Sequence, residues 1–138
     1  MIKWANKREV DVPPMLDTAY LQRLQKHLGE DVTRELMADG IIELSDRLDR
    51  LGALVGEGQV GELRKLTHDI TGAAGHLGLS ALSFFAAEAN RTLREAGADE
   101  RAGAMEKVLA CKARSLDALA RFCKIGQVVP PSAVSSME

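Results

Sequence analysis

Aromatic side chains are scarce in this sequence, at 4% of 138 residues, while Ala, Leu, Glu, Arg and Asp are plentiful. The abundant types lose little on entering a helix or decorate helix surfaces, so the composition predicts an all-α protein. Only two cysteines are present, Cys111 and Cys123, in what reads as one helix, twelve residues and about 18 Å apart along its axis. That separation excludes a disulfide between them, and neither has the short Cys/His spacing of zinc sites, so both read as buried thiols. Apolar runs fall well short of the ~20 residues that span a bilayer, and the start Met1-Ile2-Lys3-Trp4 has no apolar signal core. The expectation is a soluble, cytoplasmic protein with no membrane partner. Neither sign of charge dominates: 18 basic against 20 acidic residues, net −2, leave no basic stripe, which argues against a nucleic-acid partner. Also missing are a Gly-rich phosphate loop, a nucleotide motif and a metal-ligand cluster. Autonomous ATP chemistry is therefore not expected, nor is a metal or cofactor on the chain itself.

What is present is helical punctuation. The length, with 46% hydrophobic residues, suits one domain with a single core. Residues 1–15 read as an N-terminal arm that Trp4 and Val10 can pack against the domain, 16–126 as the domain, and 127–138, with Pro130-Pro131, as a disordered tail. Asp17 suits an N-cap, Leu16 and Leu21 have the spacing of a hydrophobic staple, and Gly29 supplies a stop, which predicts a helix over about 18–28. A longer helix opens at Glu30 or Asp31, with Met37, Ile41, Leu44, Leu48, Leu51 and Val55 at three- and four-residue steps until Gly56 and Gly58 break it. Gly40 sits inside that pattern at a cost of about 1 kcal/mol against alanine. A third helix is predicted from Gln59 or Gly61 to Leu77, ended by Gly78, and a fourth from Ser80 as N-cap, with Leu79 and Phe84 as staple, to Gly97. The fifth is capped by Asp99 and runs through Val108, Leu109, Leu116, Leu119 and Phe122 to a stop at Gly126. Short connections make neighbours antiparallel, so the expected architecture is an up-down antiparallel four-helix bundle with an additional N-terminal helix across one end.

On the third helix, Leu63, Leu66, Ile70, Ala73 and Leu77 cluster on one side, and His68 falls on the other. His68 is therefore predicted to point to water. The same outer face carries Gly61, Arg64, Lys65, Thr71, Gly72 and Gly75. Glycine is costly inside a helix, and three on one exposed face are explained physically by close approach of another protein's backbone. His76 lies nearer the helix edge and His27 near the end of the first helix, where a helix-end role suffices for each.

The run from His68 through Asp69, Ile70, Thr71, Gly72, Ala73, Ala74, Gly75, His76, Leu77 and Gly78 to Leu82 resembles the signature of histidine-containing phosphotransfer (HPt) domains. His68 matches the phosphoryl acceptor, Gly72 the glycine, Ala73 and Ala74 a small pair, Leu77-Gly78 the helix end and Leu82 the next anchor. A weaker likeness extends over residues 16–122. The family's lysine, three residues after the histidine, is replaced by Thr71, which can donate one hydrogen bond but brings no charge. Lys65 or Arg64, one turn earlier, are candidates to supply the missing cation. The resemblance implies that His68 takes a phosphoryl group from a receiver-domain aspartate and passes it to another. Response-regulator receivers and a hybrid histidine kinase are then the partners, with Mg²⁺ only on the receiver. Gly72, Gly75 and Ile42, which falls off the core stripe of the second helix, are the docking candidates.

An imidazole ring nitrogen carries a lone pair that can attack phosphorus without a separate base. Two other readings stay open. Asp69 directly after the histidine also fits a histidine-kinase-like dimerisation domain, in which two helices per chain assemble a dimer; a non-catalytic helical adaptor would need only the outer face. The five predicted helices suffice for a monomer. Light scattering is expected to give the mass of one chain, and a stable dimer would favour the kinase-like reading.

Overall fold

The computed structural model describes residues 12–56, 59–95 and 97–126. Trp4, Val10, Gly58 and the Pro130-Pro131 tail lie outside the described residues. Five helices follow one another: α1 (Thr18–Leu28), α2 (Glu30–Leu54), α3 (Val60–His76), α4 (Ser80–Glu95) and α5 (Ala98–Phe122). Among the described residues there is no strand, so the protein is all-helical.

Each helix forms where its apolar stripe and its ends agree. Asp17 caps α1 by accepting the Tyr20 N–H at 3.1 Å, which satisfies one orphan donor of the first turn. On α2 the predicted stripe of Met37, Ile41, Leu44, Leu48 and Leu51 is buried. On α3, Leu63, Leu66, Ile70 and Leu77 are buried as expected, joined by Ala74, while Ala73 is half-buried. Both thiols are buried, and burial pushes Cys123 up from its usual 9.0 while the Arg34 guanidinium pulls it back.

The packing order follows from a few cross-helix contacts. α2 packs on α3 and on α5, and α4 packs on both as well, so these four helices close a ring around the core. A Cβ at Gly40 would run into the side chain of Leu77, the residue that follows α3, so the glycine that weakens α2 locally makes room for a core side chain. Arg34 Nε donates to the Cys123 carbonyl at 3.2 Å, and Lys112 pairs with Asp49 further along, so α2 and α5 run in opposite directions. α1 packs on α2 and reaches the end of α3, where the Asp17 N–H donates to the Gly78 carbonyl at 2.8 Å and the Tyr20 hydroxyl to the His76 carbonyl at 2.7 Å. The last carbonyl of α3 and that of the turn after it are thereby satisfied from α1 and its cap.

Three helix ends differ from the sequence reading, each for a local reason. The Leu79 N–H donates back to the Ala74 carbonyl at 2.8 Å with Gly78 at φ 74, a Schellman closure, while the Leu79 carbonyl already accepts the Ser83 N–H at 2.9 Å. One buried residue thus closes α3 and opens α4, which puts Ser80 inside the first turn rather than at the N-cap. Gly97 opens α5 instead of closing α4: its carbonyl accepts the Arg101 N–H at 3.0 Å and its N–H donates to Glu100 Oε1 at 3.1 Å. Asp99 is then a first-turn residue, where its charge faces the helix dipole. Finally, α5 stops at Phe122 rather than at Gly126, because Lys124 turns to φ 60 and Ile125 folds back, donating to the Ala120 carbonyl at 2.7 Å and burying its side chain.

Of the three positive-φ positions among the described residues, Gly29, Gly78 and Lys124, the last two make opposite predictions. At Gly78 a Cβ would meet Leu21 at 3.0 Å in addition to the left-handed strain, so Gly78→Ala is expected to cost about 2 kcal/mol or more. Lys124→Gly removes such strain and is expected to add up to about 1 kcal/mol. Urea unfolding midpoints check both signs.

Candidate functional site

The site is built by one helix whose two faces are chemically opposite. With Leu63, Leu66, Ile70 and Ala74 held in the core, the geometry of α3 turns His68 outward, and it is exposed. Arg64 and Lys65 are exposed one turn before it, and Gly72 and Gly75 one and two turns after it. Among the described residues neither Arg64 nor Lys65 enters an ion pair. Both cations are therefore free to meet an anion held at the imidazole.

Among the described residues nothing requires the glycines on this face. A Cβ at Gly61 or Gly72 would have nothing within 4 Å, and one at Gly75 would stand 3.7 Å from Ser83 Oγ, an ordinary contact. Alanine would fit at all three and would favour the helix. Their contrast with Gly40, which faces Leu77, separates a glycine the core needs from glycines that leave a surface bare.

Two of the sequence candidates are not brought to this group. Thr71 is half-buried and its hydroxyl donates to the Thr67 carbonyl at 2.8 Å, so its one proton serves the helix backbone instead of facing outward beside His68. Ile42 is 62% exposed, but it follows Gly40 by two residues, about 200° round α2, and Gly40 is the point that faces Leu77. On the helical wheel Ile42 therefore falls away from the side of α2 that meets Leu77. His76 and His27 are exposed near the ends of their helices, and the His76 carbonyl is the group that Tyr20 binds.

Sequence reasoning missed the seam between α3 and α4. Asn90 Nδ2 donates to the Arg64 carbonyl at 2.7 Å and to Thr67 Oγ1 at 3.0 Å, and Ser83 Oγ donates to the Thr71 carbonyl at 2.9 Å. A signal was available, since Ser83 and Asn90 are seven residues apart at the margin of the α4 stripe. A cavity of about 350 Å³ lies elsewhere, between Met15, Phe85 and Cys111, and includes no α3 residue. Among the described residues no group of three or more His, Cys, Asp or Glu is placed to hold a metal ion. None of the helices is long and apolar enough to cross a membrane.

The face that α3 presents to solvent thus carries an outward imidazole with cations before it and bare backbone after it, on an all-helical scaffold. The family model of the Hpt domain matches residues 20–124, and the chain belongs to that family, the histidine phosphocarriers of phosphorelays. Its fold is similar to the crystal structure of histidine-containing phosphotransfer protein B (HptB) from Pseudomonas aeruginosa PAO1. The two share 22% identity at a TM-score of 0.70, over 83% of this chain and 98% of that one. No curated protein matches the sequence.

Proposed function

We propose that His68 is the residue that carries the phosphoryl group, taking it from the aspartyl phosphate of one receiver domain and delivering it to the aspartate of another. The observation that carries this reading is the exposed imidazole of His68, set opposite the buried stripe of α3 and beside glycines that no contact among the described residues requires. A neutral ring nitrogen attacks phosphorus in line, a P–N bond forms, and the P–O bond to the aspartate breaks with its electron pair leaving on the carboxylate. The return step reverses this at the second receiver. Lys65 and Arg64 are the proposed partners of the phosphoryl oxygens, and the engagement of the Thr71 hydroxyl with the backbone supports assigning the role to the cations. Gly72 and Gly75 are the proposed docking floor.

The chain supplies a positioned nucleophile, and the receiver, with its Mg²⁺ and acidic residues, supplies the catalysis. A hybrid kinase is the upstream donor in this scheme, and the cytoplasm the compartment. The arrangement of α2 to α5 is an up-down antiparallel four-helix bundle with α1 as the additional N-terminal helix. Because each of these four helices buries its stripe against two others of the same chain, a monomer suffices, which favours this reading over a two-helix dimerisation domain.

The test is transfer from a panel of receiver domains charged with acetyl phosphate. Label is expected on wild type, labile to acid and stable to base, and absent from His68→Gln; label persisting on His68→Gln would sink the assignment. In the same assay Lys65→Ala is expected to accept phosphate and lose it several-fold faster, and an unchanged lifetime would remove Lys65 from the site. Gly72→Ala separates stability from docking. It is expected to raise stability by up to about 1 kcal/mol, the helix-propensity difference, while slowing transfer at least tenfold. Faster or unchanged transfer in that variant would contradict a partner approaching over Gly72.

A further inference from the structure

Behind the exposed face of α3 runs a polar seam that the relay chemistry does not use. Arg64 and Thr71, whose carbonyls are bonded by α4, stand seven residues apart, about 10.5 Å along the helix, and so do their donors Asn90 and Ser83 on α4. The two hydrogen bonds bracket His68, which lies four residues after Arg64 and three before Thr71. By the i to i−4 rule of the helix, the Arg64 carbonyl is also the acceptor of the His68 amide. Asn90 therefore bonds the same Arg64 carbonyl that accepts from the His68 amide one turn on.

The orientation of the amide is dictated by its partners. A carbonyl only accepts, so the nitrogen of Asn90 must face Arg64, and Thr67 Oγ1 can accept from Asn90 because it spends its own proton on the Leu63 carbonyl at 2.9 Å. Thr67 is fully buried, so the inner end of this network is shielded from water, while the bond from Asn90 to the Arg64 carbonyl lies at its exposed edge.

The buried apolar residues of α3 and α4, among them Leu66, Ile70 and Ala74 on the one and Leu82, Ala86 and Ala89 on the other, belong to one core, and apolar contact is non-directional. It sets which side of α3 faces the core but leaves the rotation of the helix about its own axis free over a small range. With a helix radius of about 5–6 Å including side chains, a 10° rotation carries a side-chain tip roughly 1 Å sideways. A misplacement of that size costs on the order of 10²-fold in a positioned reaction.

We propose that Asn90 and Ser83 are positioning residues that lock the azimuth of α3 through the Arg64 and Thr71 carbonyls and so aim the imidazole of His68 at the phosphorus of a docked receiver. The proposal rests on His68 being the phosphoryl acceptor. Neither residue needs to touch the phosphoryl group for this role.

The experiment is single-turnover transfer from an acetyl-phosphate-charged receiver, varied in concentration, to wild type, Asn90→Asp, Ser83→Ala, Ser83→Thr and His68→Gln. Circular dichroism melts first establish that each chain is folded at the assay temperature. Asn90→Asp keeps the shape of the side chain and replaces the donor with an acceptor, so the saturating transfer rate is expected to fall about tenfold with the half-saturating receiver concentration unchanged. Ser83→Ala is expected to lose less, and Ser83→Thr, which keeps the hydroxyl, to transfer as wild type does. Saturating rates of Asn90→Asp and Ser83→Ala equal to wild type would overturn the positioning role, as would a loss confined to receiver affinity. If His68→Gln still accepts phosphate, the acceptor assignment fails, and that result is distinct from normal transfer by Asn90→Asp with an inert His68→Gln.

Discussion

The rotational setting of α3 is the constraint on which the rest of the structure depends. Leu63, Leu66, Ile70 and Ala74 can be buried together only if the opposite side of the helix faces water, and that side holds His68. Burial of apolar area supplies the energy, on the order of 2 kcal/mol for each large side chain, but it tolerates some rotation and sliding. Directional contacts narrow what burial leaves open. At the far end of α3 the Gly78 closure, the Asp17 N–H and the Tyr20 hydroxyl fix where the helix stops, and along its length Ser83 and Asn90 bond its carbonyls. An acceptor imidazole needs both kinds of restraint, because its partner arrives from outside and cannot correct the geometry from within.

Much of this was legible in the sequence wherever a property depends on one helix alone. The stripe of α2, the outward direction of His68 and the Asp17 cap each follow from residues within a few turns, and periodicity suffices to read them. The features that escaped depend on which helix stands next to which, and at what angle. Ile42 lies off the core stripe as read, yet the stripe does not say which neighbour adjoins that side, whereas Gly40 against Leu77 places Leu77 on the other. Ser83 and Asn90 looked like ordinary polar residues because their acceptors are backbone carbonyls 12 and 26 positions away. The shifted helix ends have a similar origin. Leu79 serves two helices at once, and Lys124 adopts a strained left-handed conformation because doing so buries Ile125, a tertiary gain that outweighs a local cost.

Glycine shows how structure can distinguish reasons that sequence leaves merged. Gly40, Gly72 and Gly78 read alike as helix interruptions, but each meets a different neighbourhood. Gly78 needs its left-handed φ of 74, Gly40 makes room for Leu77, and Gly72 has open space around it. Among the described residues only the last is a cost without an intramolecular return. A helix that keeps bare backbone next to an exposed nucleophile gives up stability where a partner's approach, rather than folding, sets the requirement.

The replacement of a lysine by Thr71 changes the electrostatic layout of the face more than its shape. The hydroxyl turns inward and its proton goes to the Thr67 carbonyl, so Thr71 joins the seam that also holds Thr67, Ser83 and Asn90. Positive charge on this face then sits only on the N-terminal side of His68, at Arg64 and Lys65, and the C-terminal side is left to glycine. A phosphoryl group on the imidazole would be drawn toward the start of α3, away from Gly72, where the receiver backbone needs room. If His68 carries the phosphoryl group as proposed, separating the cations from the bare patch in this way would let one side of the histidine hold the phosphoryl oxygens while the other admits the incoming partner.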